Sequence, residues 1–348
     1  MPGNHDPSAP RRSVAALVGC AVLTATLSAA HADPTPKIAP EAIRWKPASI
    51  FEKDDKDDKF DDQPRMNLSG AACVPTTPKF KSCLIANDEK KYAQFFSIHG
   101  TTLKPRKLIR LSDEKKDPDA EGVAYADGFF YVTGSHGRSR NSDSDNDSSY
   151  AVFRIPVDPT TGRPKFKPNE DKVVGVESSS RLRKPLRKGE FIKKFYDEPL
   201  AEGGINIEGI AVKDGRMHLG LRGPSLDSRA FVLSVDAEAI FSKGDLKSKV
   251  TPLELGKDTG IRDLAAISDG ILVLAGPTRD EAVAYSIWFW DGVGSTAKQL
   301  AILDLSTVRK DAKAEILLPL DEGGGEIRAL VMFDSAENGG ARSFRIPR

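Results

Sequence analysis

The chain has 348 residues, of which 39% are hydrophobic and 29% are charged, a balance that is ordinary for a globular protein. Its formal net charge of +1 gives no global attraction for nucleic acid or for an anionic membrane surface. We therefore expect no nucleic-acid partner. The length suits either one large β domain or two smaller ones.

The first 32 residues have the pattern of an export signal. A basic pair at positions 11 and 12 precedes an apolar run over residues 13–30, which is too short and too rich in small residues for a membrane span. We expect cleavage after Ala32, which gives a periplasmic or secreted protein with no transmembrane segment in the mature chain. A lipoprotein box ending at Cys20 and a twin-arginine signal are the alternatives.

Two cysteines, Cys73 and Cys83, remain after that cleavage. An even pair in an exported protein indicates a disulfide, and these two flank a turn over residues 74–82. Two free thiols are the alternative.

Residues 33–66 form a separate N-terminal segment before the repeats begin. We expect an extended Pro-rich start, a strand over Arg44–Phe51 and a solvated charged loop over residues 52–62. Calcium binding by that loop is the alternative.

From residue 67 to residue 348 the sequence repeats one supersecondary unit. Residues 119–140 and residues 206–223 share the same order: Glu-Gly, an apolar strand, an Asp-Gly hairpin turn, a second strand and an Arg-bearing loop. Equivalent starts lie 52, 87, 55 and 52 residues apart, at Ser69, Glu121, Glu208, Asp263 and Glu315. A period near 50 with four strands per unit is the signature of β-propeller blades.

The sequence therefore predicts an all-β protein, a single β-propeller with five visible four-stranded blades. A sixth blade hidden by divergence stays open. The long interval holds an insertion near residues 177–203, which is too short for another blade. The second unit should take its fourth strand from Lys172–Val176, and the only helical segment should be a turn or two over Asp236–Ser242. The last unit lacks a fourth strand, so Arg44–Phe51 should pair with it, close the ring and hide a sheet edge.

The first strand of each propeller blade lines the central channel, and ligands bind where channel and loops meet. This predicts four carboxylates at one mouth, Glu121, Glu208, Asp263 and Glu315, with Ser69 in the fifth place. Like charges raise one another's pKa, so the group needs a cation or arginine partners. Oxygen ligands suit Ca²⁺ or Mg²⁺, the predicted cofactor, and no organic cofactor is expected. Capping of main-chain amides or pairing with arginines is the alternative.

The loops after the second strands carry cationic and titratable residues. Arg138 and Arg140 follow the second strand of one unit, and Arg222 follows that of the next. Arginine binds carboxylate or phosphate with two hydrogen bonds, so we predict a site for a small anion there, with ion pairing between blades as the alternative. His136 and Glu208 are the predicted proton-transfer residues, and a structural role is the alternative for the histidine.

Three weaker features accompany these. Arg262 and Arg279 occupy corresponding parts of the fourth unit. Residues 143–147 resemble a calcium loop but lack the glycine and glutamate of an EF-hand, and the basic residues of 181–194 offer an anion-attracting surface. A flexible loop is the alternative for both segments. The sequence contains no Gly-x-Ser-x-Gly elbow, no Walker A motif and no His-Glu-x-x-His.

Two pieces of sequence together resemble a known family. Ala-Glu-Gly-Val-Ala at 120–124 runs into Gly-Ser-His-Gly-Arg-Ser-Arg at 134–140, and Asn-Ile-Glu-Gly-Ile-Ala at 206–211 runs into Gly-Leu-Arg-Gly-Pro at 220–224. Over residues 65–346 the chain resembles a bacterial domain-of-unknown-function family of exported β-propeller proteins, a neighbour of the phytase-like and esterase-like propellers. The phytase-like relatives would imply acidic residues that hold calcium around phosphate, a type that Glu121, Glu208 and Arg222 fit.

Two functions follow as hypotheses. The first is a metal-assisted hydrolase of an anionic small molecule, a phosphoester or a lactone, in which metal and arginine polarise the substrate while a carboxylate or His136 moves the proton. The second is a non-catalytic propeller that binds a ligand or a protein at the cell envelope. Propellers host both, so the fold does not decide between them. We expect a monomer.

Overall fold

The computed structural model describes residues 34–51, 65–77, 80–89, 91–114, 116–138, 146–308 and 311–348. The predicted signal peptide, the charged loop over residues 52–62, most of the candidate calcium loop and Arg140 lie outside the described residues. Residues Thr35–Arg348 form one compact unit.

Five antiparallel sheets, each a blade, follow two short N-terminal strands. The N-terminal strands are β1 (Lys37–Ile38) and β2 (Lys46–Pro47). Blade 1 contains β3 (Leu68–Thr77), β4 (Phe80–Asn87), β5 (Tyr92–His99) and β6 (Thr102–Arg110), and blade 2 contains β7 (Ala120–Ala126), β8 (Phe129–Gly134), β9 (Val152–Pro156) and β10 (Glu177–Ser179). Blade 3 contains β11 (Asn206–Lys213), β12 (Arg216–Leu226), β13 (Arg229–Asp236) and β14 (Lys249–Glu254). Blade 4 contains β15 (Thr259–Ile267), β16 (Gly270–Pro277), β17 (Ser286–Trp290) and β18 (Ala297–Leu303), and blade 5 contains β19 (Lys313–Gly323), β20 (Glu326–Asp334) and β21 (Arg342–Pro347).

The first strand of each blade lies innermost. Strands β3, β7, β11, β15 and β19 contact one another in cyclic order, and the contact between β19 and β3 closes the ring. One apolar layer lies between each pair of adjacent blades, so each blade is buried on both faces. That is why a strand such as β16 is apolar throughout rather than alternating. The predicted five-bladed β-propeller is confirmed.

The segment between β10 and β11 carries the only α-helix in the described residues, α1 (Arg183–Lys188), with 3-10 turns at Lys193–Phe195 and Leu200–Glu202. Its apolar residues pack into the layer between blades 2 and 3. A 3-10 turn at Ala239–Phe241 lies within the predicted helical segment. The predicted strand Lys172–Val176 is wrong, because the fourth strand of blade 2 is β10, a few residues later.

The N-terminal segment crosses the outer edge of blade 5 without completing it. β1 pairs in parallel with β18 of blade 4, and β2 pairs in parallel with β6 of blade 1. Between them Glu41 N donates to Ser343 O at 2.8 Å, and Trp45 Nε1 donates to Ser343 Oγ at 2.9 Å. The predicted pairing of Arg44–Phe51 with the last blade is therefore wrong, and blade 5 has three strands in the described part of the chain. We call residues 35–51 the belt.

The cysteines occupy directly paired positions on two strands of blade 1. Cys73 of β3 lies opposite Cys83 of β4, and the two form the predicted disulfide. In the ranges that the structure describes, no helix has the length and apolar character needed to cross a membrane.

Candidate active site at the channel mouth

Every inner strand carries a β-bulge near its start. The register shifts of the five first hairpins identify the extra residues as Gly70, Glu121, Glu208, Arg262 and Glu315. A bulge leaves its extra residue outside the ladder and re-aims its side chain. Gly70 has no side chain. The side chains at the other four positions form a cluster with two residues of blade 3, and we call this cluster the polar mouth: Glu121, Glu208, Arg262, Glu315, Asn206 and Arg222.

The register corrects the predicted set at two positions. Arg262, not Asp263, holds the bulge position of blade 4, and Gly70, not Ser69, holds that of blade 1. The Asp263 carboxylate accepts hydrogen bonds from Leu264 N and Leu317 N, both at 2.8 Å, so it fastens blade 4 to blade 5. Ser69 Oγ donates to Glu121 O at 2.8 Å and lies 3.0 Å from Glu121 Oε2.

Arg262 joins the carboxylates of two other blades and is only 2% exposed. Its Nε lies 3.1 Å from Glu208 Oε2, and its Nη2 pairs with Glu315 Oε1. The contact to Glu208 is an ion pair that is not aligned as a hydrogen bond, so both of its atoms lack a hydrogen-bond partner among the described residues. Burial disfavours the charged guanidinium, but Glu208 and Glu315 outweigh burial and raise the pKa of Arg262.

Glu208 also binds two polar side chains of its own blade. Arg222 Nη1 donates to Glu208 Oε1 at 2.7 Å, and Asn206 Nδ2 donates to the same oxygen at 3.0 Å. The remaining Arg222 contact runs from Nε to Thr278 O at 2.8 Å, which ties blade 3 to blade 4. Asn206 Oδ1 is buried and has no hydrogen-bond partner in the described part of the chain. The mouth therefore contains an acceptor oxygen that a ligand hydroxyl or a water can satisfy.

Glu121 and Glu315 of the mouth, together with Asp119 two residues before Glu121, have raised pKa values and are held partly in the neutral form. Burial is the largest cause in each case, and the negative charge of neighbouring carboxyl groups adds to it. The pKa of Glu121 rises well above its ordinary value, with Asp119 and Glu208 as the charges that add most after burial. The pKa of Asp119 rises to about 6, and that of Glu315 rises to about 7 although Arg262 opposes the shift. Glu121 therefore keeps its proton at pH values where an ordinary glutamate has lost it.

These residues do not fit a calcium ion. Glu208 and Glu315 bind the Arg262 guanidinium, and Asp263 binds main-chain amides, so three of the four predicted ligands already have partners. Within the described residues no group of three or more His, Cys, Asp or Glu side chains has the arrangement of a metal site. Arginine supplies the positive charge beside Glu208 and Glu315, and main-chain amides hold Asp263.

A cleft of about 590 Å³ opens beside the polar mouth between blades 3 and 4. Asn206 and Arg222 line it from the mouth, Leu200 and Gly203 line it from the insertion, and Arg279 lines it from the loop after β16. A ligand of small-molecule size in this cleft would contact the buried amide of Asn206 and the half-buried guanidinium of Arg222.

Arg138 and His136 have partners outside the polar mouth, and Arg140 lies outside the described residues. Arg138 Nη1 donates to Asp197 O of the insertion at 2.7 Å. His136 is 1% exposed, its ring packs edge-on against Tyr150, and burial lowers its pKa to about 3. Neither ring nitrogen of His136 has a hydrogen-bond partner in the described residues. The roles predicted for Arg138, Arg140 and His136 stay predictions.

The sequence analysis did not identify Asn206 as a site residue, and it did not place Arg262 at the bulge position of blade 4. The apolar flanks carried the signal for Arg262: Ile261 and Leu264 flank it with the same spacing that residues 207 and 210 have around Glu208. Asn206 lies in the repeated motif itself, two residues before Glu208, but only the structure shows its amide on that carboxylate.

The fold and the mouth define a five-bladed β-propeller protein with a buried ion-pair cluster at one end of its channel. The family model described as "Protein of unknown function (DUF3616)" matches residues 82–156 and 150–343, and the chain belongs to this family. No curated protein matches the sequence.

The structure also resembles solved propeller glycoside hydrolases. The Bacteroides ovatus xyloglucan PUL GH43B is 13% identical with a TM-score of 0.44, and the match covers 82% of this chain and 53% of that one. The Penicillium chrysogenum alpha-L-arabinanase is 8% identical with a TM-score of 0.41, and the match covers 81% of this chain and 93% of that one. The sucrose-6-phosphate hydrolase from Lactobacillus gasseri is 11% identical with a TM-score of 0.42, and the match covers 80% of this chain and 58% of that one. The chain thus spans about half of the first of these proteins.

Proposed function

We propose that the protein is a hydrolase that uses two carboxyl groups of the polar mouth as general acid and general base, without a metal ion. One observation carries the proposal. Glu121 is a partly buried acid with a raised pKa, and it lies in the same cluster as Glu208, a carboxylate that is paired with two guanidinium groups. Two carboxyl groups whose environments differ in this way can divide the roles of acid and base.

Each residue of the mouth has a role in this scheme. Glu121 donates the proton to the leaving group, and Ser69 Oγ fixes the Glu121 carboxyl through its contact at 3.0 Å. Glu208 accepts the proton of the attacking water, while Arg222 and Arg262 hold its carboxylate in place. Asn206 Oδ1 accepts a hydrogen bond from a substrate hydroxyl at the floor of the cleft.

The charges of the site favour a neutral, hydroxyl-rich substrate. Arg222 and Arg262 are both paired with carboxylates. The lining of the cleft includes four acidic residues against three basic ones, Arg222 among them. A phosphoester would therefore meet little spare positive charge. The anionic phosphoester that the sequence suggests is the alternative substrate class, and a lactone fits either scheme.

Turnover of a small panel tests the proposal. We expect hydrolysis of a p-nitrophenyl glycoside or a lactone, no hydrolysis of p-nitrophenyl phosphate, and no effect of EDTA. Glu121→Gln should lower kcat by a factor of about 10²–10⁴, the usual contribution of a general acid. Glu177→Gln, which changes an acid on the outer strand of blade 2, is the matched control. Loss of activity in EDTA would restore the metal-assisted mechanism.

A binding propeller is the second candidate, and the Arg262 network favours it. The pairs from Arg262 to Glu208 and Glu315 join three blades, which is what a purely structural cluster would do. If no member of the panel is hydrolysed while the Glu121→Gln protein binds the same glycosides as the parent, the hydrolase proposal fails and this one stands.

We also propose that the protein is exported and cleaved after Ala32. The disulfide between Cys73 and Cys83 supports an oxidising compartment. Expression of the full chain in a bacterium and N-terminal sequencing of the periplasmic fraction should give Asp33 as the first residue. Protein that keeps its original N-terminus would refute cleavage.

A further inference from the structure

A second concave site lies on the outside of the propeller, away from the polar mouth. It has a volume of about 290 Å³ and lies between blade 1 and residues 158–167 of blade 2. Ser82 Oγ donates to Gly162 O at 3.2 Å and holds that loop against the blade. Gly162 has φ +65°, and a Cβ there would come within 2.6 Å of Ser82 Cβ, so the close approach requires glycine. We call this site the outer groove.

The lining of the outer groove combines aromatic rings with cations. Phe80, Phe95 and Phe166 contribute the rings, and Arg106, Lys107 and Arg163 contribute the charges. No acidic residue in the described part of the chain lines the groove.

The three cations have only uncharged partners in the described residues. Arg106 Nε donates to Ser97 Oγ at 3.3 Å. Lys107 Nζ donates to Glu170 O at 2.7 Å and lies 3.9 Å from the centre of the Phe166 ring. Arg163 is exposed and forms no ion pair with a described carboxylate. Their charges are therefore available to a ligand, in contrast with Arg222 and Arg262 at the mouth.

A titratable neighbour reports the same positive potential. His99 packs edge-on against Phe80, with ring centroids 4.8 Å apart. Burial lowers the pKa of His99, and the charges of Lys104 and Arg106 lower it further. The smaller part of this pKa shift, which comes from Lys104 and Arg106, reflects the same positive charge that favours an anion in the groove.

We propose that the outer groove binds a small anion attached to a single ring. A guanidinium binds phosphate or carboxylate with paired hydrogen bonds, which suits Arg163 and Arg106. The phenylalanine rings offer an apolar surface to the ring of the ligand. The volume lies at the lower end of the range for small-molecule sites, about 300 Å³, so one ring and its anionic group fill it.

A matched set of probes tests both halves of the ligand by calorimetric titration at low salt. Phenyl phosphate should bind at least ten times more tightly than inorganic phosphate, which lacks the ring, and than phenol, which lacks the anion. Phenyltrimethylammonium, with the ring and the opposite charge, should not bind. Glucuronate distinguishes a saturated ring from an aromatic one. Equal binding of inorganic phosphate and phenyl phosphate would reduce the groove to a general anion-attracting surface and overturn the proposal.

Variants then locate the binding. Arg163→Ala and Phe166→Leu should each weaken the tightest probe at least fivefold. Arg163 is exposed, so its loss should leave the melting temperature within a degree or two of the parent value. Phe166 is half-buried against the layer between blades 1 and 2, so leucine removes the aromatic ring but keeps an apolar side chain there. Arg187→Ala removes an exposed cation of the insertion and should change nothing. Unchanged affinity in both groove variants, or loss of binding in Arg222→Met, would refute the assignment. Because these are binding measurements, the result is independent of whether the mouth is catalytic.

Discussion

Arg262 has more influence on the polar mouth than any single carboxylate, because it pairs with acids from two other blades. Replacing it by methionine leaves Glu208 and Glu315 buried without their shared cation. We predict that Arg262→Met lowers the free energy of unfolding by about 3–5 kcal/mol, the usual cost of breaking a buried ion pair. Urea unfolding at pH 7, monitored by tryptophan fluorescence, measures the change.

Arg222→Met is the control for that experiment. The Arg222 side chain is 18% exposed and forms an ion pair with one carboxylate, that of Glu208. The loss of unfolding free energy should therefore be clearly smaller. Equal losses in the two variants would show that the central position of Arg262 has no special energetic role.

Glu315 of the mouth and the nearby Asp119 make the stability of the protein depend on pH. Folding raises the pKa of Asp119 to about 6 and that of Glu315 to about 7, so between roughly pH 4 and pH 7 the folded protein holds more protons than the unfolded chain. Their contribution is complete below the unfolded pKa values and is lost as the pH rises through 6 and 7. We predict that unfolding free energy falls between pH 5 and pH 8, on the order of 3 kcal/mol from Glu315 alone.

Glu315→Gln should remove a large part of that pH dependence, because glutamine cannot ionise. Glu190→Gln, an exposed change on the insertion, should leave the profile as it is in the parent. A stability profile that rises from pH 5 to pH 8 in the parent would contradict the prediction.

The sequence predicted Glu121, Glu208 and Glu315 at the mouth but placed Asp263 where Arg262 stands. That prediction aligned the acidic residues of the repeats, whereas the register of a buried strand is set by its apolar residues. In blade 4 the bulge falls on Arg262, and the neighbouring aspartate turns to the main chain of blade 5. A bulge shifts the channel-facing residue by one position. The alternation of apolar and polar residues within a single repeat does not reveal where such a bulge lies.

At the scale of elements, strands joined by tight turns were predictable. Asp127 and Gly128 between β7 and β8 have φ values of 50° and 83°, and Asp214 and Gly215 between β11 and β12 have 50° and 71°. Asp-Gly accepts such values, which is why the pair marked the hairpins. β2 lies within the predicted strand over residues 44–51, but its partner β6 was not predictable. β1 and β10 were not predictable either, since strands of two or three residues carry no alternation and depend on the edge of a neighbouring strand.

The disulfide stabilises the first hairpin of blade 1. Cys83 is fully buried, Cys73 is half-buried, and the two positions are 10 apart in sequence. In the chain-entropy account a loop of that length contributes about 2–3 kcal/mol. We predict that thiol titration of the denatured, unreduced protein finds no free thiol from this pair, and that reduction lowers the unfolding free energy by that amount. Two titratable thiols would refute it.

At the scale of the whole molecule, the belt shows a different way to close the ring from the one predicted. The sequence indicated a spare strand and a blade with one strand fewer, and pairing them was the simplest way to cover an edge. The structure instead covers the edge with side chains: Glu41 lies 2.6 Å from Arg328 Nε and 3.0 Å from Arg345 Nε. Such contacts depend on residues nearly three hundred positions away, so the N-terminal sequence alone does not reveal them.

The belt should therefore act as a closing element for the propeller. Its ends join blade 4 to blade 1 across blade 5, and Trp45 and Phe51 are buried in the layer between blades 5 and 1. Removing residues 33–51 would uncover β21 and take both aromatic side chains out of that layer. We predict that the truncated protein melts well below the parent and associates through the uncovered edge.

Differential scanning calorimetry and sedimentation velocity, run on the signal-free chain with and without residues 33–51, measure both effects. Glu41→Gln is the matched variant within the full belt. It removes the charge that faces Arg328 and Arg345 but keeps the aromatic anchors, so it should lower the melting temperature much less than the deletion does. A truncated protein that melts with the parent and stays monomeric would mean that the contact between β19 and β3 closes the ring by itself.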